Sequence, residues 1–209
     1  MPIKKDSFRF LVYSRALRST AIIFMTLSFS LYLNALKVNL LDIGFVAGGT
    51  MVFALLLTLV LGAIGDRRGY KYELIISELF TTAGAFMIAL SPNLPVIVAG
   101  MVIAGISSGA GGMRGAFSPG SSAFVASLYP DEAERVKRFS TLTKIAATFS
   151  IIGSLMFAAV SIISRYVGPL LAYRYFFMIA ALLLAVSVLS LALLEEARRP
   201  KKTTRVMKK

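Results

Sequence analysis

The sequence predicts an all-α membrane protein of six transmembrane helices, and three observations carry that reading. The chain of 209 residues is 57% hydrophobic and only 16% charged, with a mean hydropathy of +0.77, well above that of a soluble domain. Its apolar residues gather into runs close to the roughly 20 that a helix needs to cross a hydrocarbon core about 30 Å thick. Its 23 Lys and Arg, against 10 Asp and Glu, fall mostly between those runs. Basic residues so placed orient spans in a bilayer and do not form a nucleic-acid surface.

The first predicted span, 10–36, follows no pattern of charge, short apolar stretch and small-residue cleavage site, so it reads as a retained helix and not as a signal peptide. The second, 41–65, carries Gly44, Gly48 and Gly49. Lipid gives helices little hydrophobic reason to associate, so small residues that let backbones approach mark packed interfaces. The third, 72–91, follows a short charged turn and contains Glu78. The fourth, 95–128, is long and holds Gly100, Gly105, Gly109, Gly111, Gly112 and Gly115; it and the second span are expected to be the buried packers. The fifth, 140–164, has Lys144 one turn inside its start, and the sixth, 173–195, leads to a run of basic residues. The bundle thus occupies 1–197, with a basic tail over 198–209.

An inside N-terminus puts four basic groups on the cytoplasmic side: Lys4, Lys5 and Arg9; Arg67, Arg68 and Lys71; Arg135, Lys137 and Arg138; and the tail from Arg198 to Lys209. Only Lys37, Arg165 and Arg174 fall opposite. The bias predicts a multi-pass cell-membrane protein with both termini cytoplasmic, whose tail faces acidic lipid and not nucleic acid.

Composition excludes much chemistry. With no Cys and no His there are no disulfides, thiolate or imidazole metal sites, or Ser-His and Cys-His catalytic pairs. Asp6, Asp42, Asp66 and Asp131 are too scattered to hold Mg²⁺ for phosphotransfer to lipid, and no Gly-rich phosphate loop ends in Lys-Ser or Lys-Thr. The expectation is a protein that is not an enzyme and holds no cofactor or metal.

Between the second and third spans the chain reads Gly62-Ala-Ile-Gly65-Asp66-Arg67-Arg68-Gly69-Tyr70-Lys71. Physically this is a tight charged turn: Gly69 can supply a positive φ and Asp66 can accept hydrogen bonds near helix ends. Its spacing, Gly-x-x-x-Asp-Arg-x-Gly-x-Lys, resembles the signature loop of the major facilitator superfamily of secondary transporters. Leu31-Tyr-Leu-Asn-Ala-Leu36 with Asp42-Ile-Gly44 is similar to the family's opening helices. Tyr129-Pro130-Asp131-Glu132-Ala-Glu134-Arg135 resembles its acidic-then-Arg connection, and Tyr173-Arg174-Tyr175-Phe176-Phe177 the start of its sixth helix.

The resemblance implies a six-helix bundle of two three-helix repeats, the amino-terminal half of a two-bundle transporter that works by alternating access, with the tail at the start of the linker between halves. It implies that Gly62, Asp66, Arg67, Gly69 and Lys71 act in gating. It implies transport of a small solute driven by an ion gradient and not by ATP, with a second six-helix half supplied by another chain or a homodimer mate. The alternative is a truncated or split membrane subunit with a binding or assembly role and no transport by itself. Two departures limit the likeness. Gly100 is followed by Met101 where many members have Arg, and Ile152-Gly153-Ser154 stands in place of the glycine-proline pattern of drug-proton antiporters.

Ionisable groups at the bilayer centre cost about 2.5–3.5 kcal/mol each on insertion scales, so they face a cavity or a partner. Arg114, beside Ser118, Pro119, Ser121 and Ser122, is a candidate for the substrate path or a partner of Glu78. Arg18 shares a helical stripe with Ile22, Met25, Phe29 and Tyr32, which makes Arg18 and Tyr32 further candidates for the path. Arg15 and Lys144 are expected to snorkel to the interface. Glu78, well inside its span, is the candidate for proton coupling or for an ion pair.

Overall fold

A computed structural model describes residues 2–106 and 117–195, and every regular element among them is an α-helix. In chain order these are α1 (Pro2–Ala35), α2 (Leu40–Arg68), α3 (Tyr70–Leu90), α4 (Leu94–Ala104), α5 (Phe117–Leu128), α6 (Glu132–Val167) and α7 (Pro169–Ala192). Five are long and apolar enough to cross a membrane: α1 from Ser7, α2, α3, α6 and α7. The expected fourth span corresponds instead to two short helices, α4 and α5. Gly105 ends α4 in a left-handed conformation, φ 66°, with its N–H turned back to the carbonyls of Met101 and Val102, a C-terminal motif that glycine adopts without strain. Residues 107–116, with Arg114, and the tail 198–209 lie outside the described residues.

The fifth element also differs from its expected start at 140. It begins at Glu132, because the Asp131 side chain accepts the Glu134 N–H at 2.9 Å and caps the helix. An i,i+4 pair of Glu134 with Arg138, 3.2 Å, extends order through residues that read as a loop.

α1 and α3 form the centre: α1 packs on α6 and α7, and α3 on α4 and α7. The expectation that the second helix is a buried packer is corrected. Only 11% of the apolar window of α2 is buried, against 67% for α1, and Gly44, Gly48 and Gly49 have open space where a side chain would stand. No described element covers that face. Close approach occurs elsewhere, between α3 and α4, where a Cβ on Gly84 would overlap the Gly100 carbonyl and one on Gly100 would lie 2.8 Å from the Gly84 carbonyl.

Side chains of the core fall into two apolar clusters at different depths. One joins Phe24, Phe29 and Tyr32 of α1 to Ile88 of α3, Met101 of α4 and Phe177 of α7. The other joins Phe8 and Leu11 of α1 to Leu74 of α3, Phe117 and Phe124 of α5, and Leu191 of α7. The second lies at the end of the bundle where the described residues begin and finish. There Ser7 Oγ accepts the Glu195 N–H at 3.2 Å, and Lys71 Nζ donates to the Ala192 carbonyl at 2.8 Å. At the opposite end Arg174 donates to the Ala89 and Leu90 carbonyls, 3.1 and 2.9 Å, satisfying the last turn of α3.

Candidate functional site

Between the two apolar clusters runs a layer of polar side chains, and it holds a buried ion pair. On α1 the clusters end at Leu11 and resume at Ala21, on α3 at Leu74 and Ala85, and on α7 at Leu191 and Leu184. Within those gaps Ser14, Arg18, Ser77, Glu78, Thr81, Thr82 and Ser187 are all buried. At 1.5 Å per residue Arg18 stands about 16 Å along α1 from Ser7, and Glu78 about 12 Å along α3 from Tyr70. Both are deep enough to need a partner.

The partner of each is the other. Arg18 Nη1 pairs with Glu78 Oε2, with side-chain exposures of 6% and 0%. The second carboxylate oxygen accepts Ser187 Oγ at 2.5 Å, and Ser187 Oγ lies 2.9 Å from Ser14 Oγ. With Ser187 donating to the carboxylate, Ser14 donates to Ser187, and a chain of hydroxyls from α1 and α7 serves the α3 carboxylate. Two buried charges lose several kcal/mol each in hydration, and their attraction offsets this only when the remaining hydrogen bonds are also made. The outer face of the Arg18 guanidinium lies over the Phe117 ring of α5, 4.5 Å from its centroid, a cation–π contact.

Arg18 also borders a small cavity of about 20 Å³, lined by Ile22 and Thr26 of α1, Ala54 and Leu57 of α2, Ser77 and Thr81 of α3, and residues at the end of α4. That is room for about one water. Thr26 Oγ1 is buried without a protein partner, the kind of group that a water satisfies.

The sequence candidates therefore separate. Arg18 and Glu78 come together, with Arg18 in the place considered for Arg114 as partner of Glu78; Arg114 itself lies outside the described residues. Tyr32, expected on a path wall, is instead fully buried in an aromatic cluster, 5.4 Å from the Tyr173 ring and 5.2 Å from Phe177. The stripe through Arg18 turns away from the cavity after Ile22, because α7 covers its far end. Gly62, Asp66, Arg67, Gly69 and Lys71 all lie toward the terminus end. Asp66 accepts the Tyr70 hydroxyl at 3.2 Å, and Arg67 is exposed. Gly69 joins α2 to α3 at φ 113°, ψ 151°, a region that side chains other than hydrogen rarely enter. Ser14 and Ser187 escaped sequence reasoning because serine is an ordinary packing residue in membrane helices. Glu73, 2% exposed, also escaped, because it stands at the very start of the third span, next to the charged turn.

The sequence profile described as Major Facilitator Superfamily matches residues 11–209. Myo-inositol transporter 3A of Cryptococcus neoformans var. grubii is 40% identical over 64 residues, 31% of this chain and 11% of that protein. Polyol transporter 5 of Arabidopsis thaliana is 35% identical over 74 residues, 35% of this chain and 14% of that protein. D-xylose-proton symporter-like 2 of the same plant is 38% identical over 68 residues, 32% and 14%. The chain thus aligns with only 11–14% of the length of these relatives.

Proposed function

Because the chain belongs to the Major Facilitator Superfamily, we propose that it is the six-span half of a secondary transporter that carries a small polyol or sugar through the membrane by alternating access. The observation that carries this reading is the buried layer of Arg18, Glu78, Ser187 and Ser14 between two apolar clusters. A purely structural bundle gains little from two desolvated charges, since an apolar replacement of similar volume is often at least as stable. The names of the relatives supply the substrate class, and one of them, a xylose-proton symporter-like protein, supports symport with protons. Energy comes from the ion gradient.

The second half packs on the uncovered face of α2 with its open Gly44 and Gly48, from a further stretch of chain, another polypeptide or a second copy. Substrate lies between the halves, with Arg18 and Arg114 toward the path. The turn with Gly62, Asp66, Arg67, Gly69 and Lys71 gates the cytoplasmic side, at the end of the bundle where Ser7 and Glu195 meet.

Proteoliposomes containing the protein, loaded with unlabelled myo-inositol, test this by counterflow of labelled myo-inositol and xylose. Accumulation that grows with an inward proton gradient is the expected result, and Arg114→Ala reduces it. No exchange of any polyol or sugar, from an assembly shown by crosslinking to contain two six-helix units, rejects the transport reading and leaves the binding or assembly subunit.

A further inference from the structure

Glu73 stands apart from the polar layer, one turn into α3 at the terminus end, and it is buried to 2% exposure. Its carboxyl is wedged between two other helices at glycines. A Cβ on Gly65 of α2 would overlap Glu73 Oε2, and one on Gly120 of α5 would lie 2.8 Å from Oε1 and 2.9 Å from Cδ. The cradle is thus shaped to the carboxyl by the absence of two side chains. An isolated carboxylate charge in such a place costs far more than its neutral form, unless a cation pairs with it.

Among the described residues no cation does. The group that acts on it electrostatically from α2 is Asp66, of like sign, and Arg67 and Arg68 beyond it are exposed. α5 carries no charged side chain. On α3 itself Lys71 is directed to the Ala192 carbonyl and the Tyr70 ring packs beside Gly65, while Arg18 of α1 is held by Glu78.

We propose that Glu73 is a proton-binding site of the protein, protonated while its carboxyl sits in the Gly65–Gly120 cradle and ionised when α2 and α5 part from α3 and admit water. The chemistry is the uptake of one proton by one carboxylate, with no other bond made or broken. Closure of the terminus end then takes up a proton and opening releases it. The link to the transport cycle rests on the transport reading above; the site itself does not.

Infrared difference spectroscopy of the whole protein in lipid nanodiscs, between acidic and alkaline buffer, tests the site without substrate. The wild type is expected to show a carboxylic-acid C=O band at neutral pH that converts to carboxylate bands in alkali. Glu73→Gln, which keeps the shape of the side chain, removes that band. Gly120→Ala fills the cradle and moves the conversion to lower pH, because the displaced carboxyl meets water. A neutral-pH spectrum that Glu73→Gln does not change overturns the proposal, whatever the transport assay gives. A band lost in Glu73→Gln, together with no polyol exchange by the wild type, sustains the proton site and rejects the transport reading alone.

Discussion

Removing one charge of the buried pair should be far more damaging than removing both. Glu78→Leu leaves Arg18, with 6% of its side chain exposed, as an uncompensated cation among α1, α3 and α5. The Phe117 ring at 4.5 Å already faces that cation in the intact protein, so it brings no new compensation. Ser187 loses the Oε1 acceptor at 2.5 Å but keeps Ser14 Oγ at 2.9 Å, so the hydroxyl chain survives and the loss is mainly electrostatic. Breaking a buried pair from one side costs about 3–5 kcal/mol. For a chain of this size, at about 2–4 °C per kcal/mol, that is a fall in Tm of roughly 6–20 °C. Arg18→Met alone strands the carboxylate and falls in the same range.

The double variant Arg18→Met/Glu78→Leu buries apolar groups of similar volume in the same space and should recover to within about 1 kcal/mol of the wild type, or exceed it. Thermal unfolding in detergent, followed by fluorescence and by retention of the monodisperse peak, gives all four corners of the cycle. The reasoning is refuted if Glu78→Leu unfolds within about 1 kcal/mol of the wild type, or if the double variant is as unstable as the two singles added together. On the transport reading the stable double variant should also have lost exchange activity, which separates the role of the pair in transport from its role in folding.

Three further outcomes follow from the geometry. Gly84→Ala, whose methyl would overlap the Gly100 carbonyl, should cost about 1–3 kcal/mol by overpacking, whereas Gly48→Ala, with open space around it, should leave the fold unchanged or up to about 1 kcal/mol more stable. Loss of transport in a well-folded Gly48→Leu would then mark the seat of the second half, and full activity would remove α2 from that interface. Gly69→Ala forces a side chain into φ 113° and should cost about 1–3 kcal/mol, visible as a lower Tm; an unchanged value would mean that the turn relaxes freely. Lys71→Met removes the cation at the C-terminus of α7, which has no basic residue in its own last turn. At about 0.3–1 kcal/mol for such a contact, amide exchange over residues 192–195 should rise roughly 2- to 5-fold; unaltered exchange would show that the 2.8 Å contact does not hold the helix end.

The sequence made legible the class of molecule, five of the six expected spans and the signature turn, because each of these is a local property. Hydropathy over about 20 residues, glycine within one turn and the spacing of charges along one strand of chain can be read without knowing what packs where. It also placed Glu78 as a charge that needs a partner, since the cost of burial depends only on depth. It did not say which partner. The Arg18–Glu78 pair spans 60 positions and the Ser187–Glu78 bond 109, and both depend on how α1, α3 and α7 are rotated about their axes. That rotation also moved Tyr32 from a path wall into the core, because α7 covers its side of α1. The glycine-rich second helix misled for a related reason: small residues announce a close approach but not the body that approaches, and Gly48 stands open while Gly84 and Gly100 touch. Glu73 stood unremarked at the start of the third span, and only the meeting of Gly65 and Gly120 from two other helices made it a buried acid. Periodicity along a chain fixes which residues share a face, whereas packing between helices decides what that face meets.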